Sequence, residues 1–252
     1  AAYFFLSGLL VHKHPLMWLL PLVTCLSAGA HYLTHCVSRL LLPFYRKLPQ
    51  DKQAWWCADT AHLVFSCMSS VASIAYIASS PAAMLPWRPT TPEPAPCSVN
   101  TMPCAVACAS AGFFAFHLWL SVRYRLYATS LKAIVHYTLL LVLFVVAAYK
   151  GISVPLLCAS LVGELSNVPY LVGKLQGLAG VTTQALTAQA ELVMLACSMS
   201  VHAIITILVL ASPRSFGNVA YYGVALLGLT YCNGLHWFRA RQLVLQRRQQ
   251  QA

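Results

Sequence analysis

The stretch "LVGELSNVPYLVGKL", residues 161–175, places Glu164 and Asn167 one helical turn apart in an otherwise apolar run. The whole chain of 252 residues carries only five acidic side chains, Asp51, Asp59, Glu93, Glu164 and Glu191. A carboxylate inside a lipid-embedded helix is expensive and normally faces a bundle interior or a cavity. Outward from this stretch the composition says the same: 59% apolar, 8% charged, mean hydropathy +0.68. A soluble domain is about one quarter charged. The chain is therefore read as an all-α, polytopic transmembrane helical bundle. Open strands are excluded because they cannot satisfy their backbone groups in hydrocarbon.

A spanning helix needs about 20 mostly apolar residues. Seven such segments fit, at 16–38, 55–79, 103–122, 131–149, 152–173, 188–211 and 217–238. The charges test that map independently. If the chain crosses at each segment, twelve Lys and Arg residues fall on one side and four (Lys13, Arg88, Lys150, Arg214) on the other. The positive-inside rule then puts the C-terminus on the cytosolic or matrix face and the N-terminus opposite.

The net charge of +11 is thus mostly topological. Its basic residues sit at helix ends with no recognition motif, so nucleic acid is excluded as a partner. The tail "RARQLVLQRRQQQA" reads as a stop-transfer cluster, or as a helix resting on anionic head groups. The opening "AAYFF" fits a trimmed N-terminus or a leader removed on organelle import. Ten cysteines without a C-x-x-C pair give no zinc-ribbon spacing, and most read as small packing residues. Cys97 and Cys104 bracket a loop end on the less basic side, where an oxidising compartment would allow a disulfide. The proline-rich stretch 86–103 reads as an extended arm, a partner contact or a solvated linker. There is no internal repeat. Gly163, Ser166 and Tyr170 follow roughly helical spacing and suggest a close helix contact.

Inside the spans, polar residues recur at one depth toward the basic end. Asp59, His62, His117, His136 and Asn233 lie one to two turns in, and Glu164 lies deeper, roughly nine residues or 13 Å. Such a layer suggests a hydrated cleft open to the basic side, lined by these residues with Tyr137 and Asn167. His31 and His35, one turn apart near a helix end, read as interfacial side chains; two ligands on one helix do not make a metal site. His202, in mid-span, reads as a neutral imidazole bonded to a neighbouring helix. No cofactor or metal is expected, but a bound phospholipid or acyl chain is compatible with the cleft.

Several pieces in order resemble the TLC domain family, the ceramide-synthase-like membrane proteins. "LVGELSNVPYLVGKL" resembles that family's fifth-helix signature, and "WWCADTAHLVFS" resembles the helix carrying Trp55 and His62. "AGFFAFHLWL", "AIVHYTLLLV" and "TYCNGLHWFRA" resemble its third-helix aromatic stretch, its His-His helix and its final Asn…Trp-Phe end. The resemblance implies residues 1–39 as an N-terminal segment and first helix, 40–242 as a TLC-like six-helix domain, and 243–252 as a basic tail. It also implies a central cavity that accepts lipid chains, and residence in the endoplasmic reticulum, with the mitochondrial inner membrane as the alternative.

The departures concern chemistry. Only His136 of the His pair is kept, followed by Tyr137, and His117 stands where the family carries aspartate. The expected function is therefore a non-catalytic bundle that binds or organises lipid, as an accessory subunit among other membrane subunits. The alternative is an N-acyl transferase acting on a lipid amine, with His136 and His62 as its catalytic residues and Glu164 orienting His136. A transporter or a metal hydrolase has less support, since neither inverted repeats nor three convergent ligands are visible.

Overall fold

The computed structural model describes residues 15–80, 102–124, 131–151, 153–181, 184–211 and 219–251. Those residues are helical throughout, apart from short turns, and contain no strand. After a 3-10 turn at Pro15–Trp18 come α1 (Leu19–Leu41), the short α2 (Pro43–Lys47) and α3 (Gln50–Ser79). Then follow α4 (Met102–Arg123) and α5 (Leu131–Lys150). The next segment is composite: α6 (Val154–Ser160), a 3-10 stretch (Leu161–Ser166) and α7 (Asn167–Leu178). Two long helices, α8 (Gln184–Ala211) and α9 (Val219–Gln251), complete the chain.

Five of these segments are long and apolar enough to cross a membrane: 16–41, 50–79, 102–123, 154–178 and 188–211. The apolar part of α5, Ile134–Lys150, is shorter. The last helix has the length, but its tyrosines, Asn233 and His236 dilute its hydropathy. The protein is an integral membrane protein built as a helical bundle.

The breaks follow from local sequence. Pro43 forces Leu42 into an extended conformation (φ −110°, ψ 102°) and starts α2. Arg46 then folds back and donates to the carbonyl oxygens of Arg39 and Leu40, which α1 leaves unpaired at its end. Tyr45, fully buried, takes the His35 Nδ1 contact at 2.6 Å. Burial raises the pKa of its phenol, which stays protonated. His31 lies edge-on to the Phe116 ring. Both histidines are partly buried and make aromatic contacts toward the C-terminal part of α1.

The helices after α2 close a ring in the order α3, α4, α5, α9, α8, and then the composite segment back to α3. The ring is laid against α1 through α4 and α3. At one end α6 contacts α3, α4, α5 and α8, and so plugs the ring. The opposite end, with the N-terminus of α3, Lys174 of α7 and Arg239 of α9, stays open.

The composite segment replaces the single helix that 152–173 suggested. Pro169 lacks an N–H, and its ring would clash with the carbonyl four residues earlier, so regular winding fails near Leu165. Side chains of neighbouring helices cover the loosened carbonyls. Ser73 donates to Cys158 O at 2.7 Å and Ser70 to Leu161 O at 3.4 Å. Gly163 O accepts from Ser166 at 2.9 Å and Ser198 at 3.0 Å. Gly163 is required here because a Cβ would overlap the His202 imidazole.

On the other side, α4 packs against α1, α3 and α5 mainly through apolar contact. Phe113 of α4 stacks on Phe65 of α3 with centroids 3.8 Å apart, and Phe114 meets Phe144 of α5 edge-on at 5.4 Å. Gly112 lets the α1 backbone come close, and Thr24 donates to Gly112 O at 2.9 Å. Cys104 is disulfide-bonded. Its expected partner Cys97 lies outside the described residues, as does the proline-rich stretch up to position 101.

Candidate functional site

The open end of the ring leads into a cavity of about 740 Å³. Its walls come from α3, α5, the composite segment, α8 and α9. Asp51, Lys52, Trp55, Lys174 and Arg239 stand toward the mouth. Asp59, His62, Glu164, Asn167, His136 and His236 follow further along, with Leu140, Phe144 and Leu161 among the apolar lining. The lining is therefore amphipathic along its length.

Two clamps shape the mouth. Lys174 Nζ lies 3.0 and 2.8 Å from the two carboxylate oxygens of Asp59 and 4.0 Å over the Trp55 ring. That ties α7 to α3. Arg239 on α9 bonds Glu191 on α8 through Nε and lies 3.7 Å over the Tyr170 ring of α7. Each cation combines a desolvated carboxylate with an aromatic face, which makes these contacts stronger than exposed ion pairs. Neither clamp was foreseen from the sequence. Glu191 was the signal, since an acid at the start of a span must find a cation.

Further in, one oxygen of Glu164 gathers three groups. Oε2 lies 2.8 Å from Asn167 Nδ2, 3.1 Å from Ser66 Oγ and 3.3 Å from His62 Nε2. Asn167 and Ser66 both donate, and His62 completes the set as a third donor, which suits a carboxylate. The other imidazole nitrogen, Nδ1, faces the Tyr137 hydroxyl at 3.3 Å. Ser66 belongs to a stripe, Ser66, Ser69, Ser70 and Ser73, that is buried at helical spacing on α3. The sequence shows that stripe plainly in "SCMSSVAS", and it passed unread because serine is cheap in lipid helices.

Of the residues expected to share one polar layer, Asp59, His62, His136, Tyr137, Glu164 and Asn167 line the cavity. His117 and Asn233 do not. His117 is buried behind the wall, with its ring 5.1 Å from His62 and 4.9 Å from Tyr137. Asn233 lies behind His202, while α9 turns Cys232, Leu235, His236 and Arg239 to the cavity. His136 is also placed otherwise than expected. Its Nδ1 meets Cys232 Sγ at 3.7 Å, and Glu164 orients His62 instead. His202 stacks on His236 with centroids 5.4 Å apart, and its Nε2 lies 3.4 Å from Ser160 O.

Among the described residues no group of three or more His, Cys, Asp or Glu side chains is arranged to hold a metal. What the arrangement can do is hold an amphiphile, and present an imidazole whose two nitrogens are engaged by a carboxylate and a phenol. Compared with known proteins, the chain matches no family model, no curated protein and no solved structure.

Proposed function

We propose that the chain is a seven-span, TLC-like membrane protein that holds a lipid chain in its central cavity. One observation carries the reading: a cavity of about 740 Å³ inside a ring of helices, with basic side chains at its mouth and a mixed lining that includes Leu140, Phe144 and Leu161. Its size is in the range of lipid- and drug-sized sites, about 300–1,000 Å³. Lys52, Lys174 and Arg239 at the mouth suit a head group, and Leu140, Phe144 and Leu161 suit a tail. The six-helix ring preceded by one outer helix supports the TLC-like part of the proposal. The charge asymmetry places the mouth on the cytosolic or matrix side. The disulfide at Cys104 supports an oxidising compartment opposite, which fits either organelle named above. A role as an accessory subunit among membrane partners belongs to the same proposal.

The N-acyl transferase alternative that uses His136 as base loses support, because His136 is not bonded to the carboxylate that was to orient it.

Native mass spectrometry of protein purified in nanodiscs tests the reading. We expect a co-purifying acyl lipid, and reduced occupancy when Leu140→Trp fills the cavity. Lipid-free protein, or occupancy unchanged by Leu140→Trp, contradicts it.

A further inference from the structure

We propose that Tyr137, His62 and Glu164 form a nucleophile–base–carboxylate relay for acyl transfer in the wall of the cavity. The inference rests on the lipid-chain reading of that cavity.

The geometry begins at Glu164. Oε2 takes Ser66 and Asn167 as donors, and His62 Nε2 approaches the same oxygen at 3.3 Å. An acceptor-only carboxylate fixes the proton on Nε2. Nδ1 then carries the lone pair, and the Tyr137 hydroxyl, 3.3 Å away, donates to it. This is the tautomer that a base needs to take a proton from a nucleophile, with the carboxylate holding the ring and facing the charge that develops. Tyr137 and His62 both line the cavity.

The apolar path supplies the acyl chain's position. Tyr137, Leu140 and Phe144 follow one another on one face of α5 at spacings of three and four residues. Leu140 also borders a second, narrower apolar pocket of about 50 Å³, lined by Leu143, Leu156 and Ile205 among others. A chain laid along this path ends with its carbonyl beside the tyrosine hydroxyl, and its leaving group toward the mouth.

The step balances without a redox partner. Tyr137 Oη adds to the carbonyl carbon of an acyl ester or thioester, and the phenol proton passes to His62 Nδ1. The bond to the leaving alkoxide or thiolate breaks, and His62 returns the proton to it. Water entering by the mouth then adds to the tyrosyl ester and gives its proton to His62. The carboxylic acid leaves, and the phenol regains the proton.

The test uses the full chain in nanodiscs. One arm labels it with a photoactivatable long-chain fatty acid and maps the cross-links. The other arm mixes it with p-nitrophenyl palmitate, follows nitrophenolate release, and finds any acyl adduct by acid quench and peptide mass spectrometry. The expected result is cross-links on α5 facing the cavity, nitrophenolate release, and an adduct on Tyr137. Both release and adduct vanish in Tyr137→Phe, and release slows about 10²–10⁴-fold in Glu164→Gln, with both variants monodisperse and thermally stable. Cross-links without release or adduct overturn the relay and leave the lipid reading standing. An adduct on His136, or release that persists in Tyr137→Phe, also overturns the relay. Absence of cavity cross-links overturns the lipid reading and the relay with it.

Discussion

The two sides of the ring solve helix contact in opposite ways. Where α4 meets α1, α3 and α5, phenylalanines interlock and a glycine lets backbones approach. Where α3, the composite segment and α8 meet, serine hydroxyls and one carboxylate carry the contact. In lipid there is little hydrophobic drive between helices, so both packing and interhelical hydrogen bonds are available as glue. The dry side can tolerate no void, and the polar side can tolerate no missing partner. The cavity lies on the polar side, where the Glu164 network and the two clamps hold its walls.

That contrast predicts an order of effects on the thermal unfolding of purified protein. Glu164→Leu should be the most damaging, since Asn167, Ser66 and His62 all lose their acceptor. At about 1–3 kcal/mol for each unsatisfied buried group, the total is on the order of 5 kcal/mol, enough to collapse abundance. Glu164→Gln keeps an acceptor and should remain within about 1–2 kcal/mol of the parent. If Leu and Gln behave alike, the carboxylate is not the organising acceptor.

Next comes the dry side, where Phe114→Ala should cost about 3–5 kcal/mol through lost packing around a fully buried ring. A small effect there would mean that the aromatic core is looser than its contacts imply. Gly112→Ala should cost about 1–3 kcal/mol, because the added methyl meets the Leu20 carbonyl oxygen, which is backbone and cannot swing aside. Ser73→Ala, removing one donor from a carbonyl in the polar contact, should cost about 1 kcal/mol. An effect of Ser73→Ala larger than that of Phe114→Ala would reverse the comparison.

The sequence made much of this legible, and for different reasons. The helical, membrane-embedded class follows from composition alone, and apolar length set both ends of α4 to within a residue and the C-terminal end of α8. Glu164 stood out because an acid inside a span is costly, and Asn167 and His62 came with it by depth. The direction in which each helix faces was harder to read. Depth placed His117 and Asn233 in the layer, but rotation of α4 and α9 puts them behind the wall. The same rotation turns His236 and Arg239 inward, and rotation is fixed by packing partners that a single sequence does not show. The 3-10 stretch at Leu161–Ser166 was hidden too, since its stability depends on serines about 90 residues away in the chain.

An electron cryo-microscopy map of the full chain in lipid nanodiscs tests the central claim most directly. The account predicts an elongated density that enters between Lys174 and Arg239, passes the Tyr137 hydroxyl and ends against Phe144, with Glu164 still bonded to His62. A ring in which α3, α8 and α9 close on one another and side chains fill that volume would contradict it.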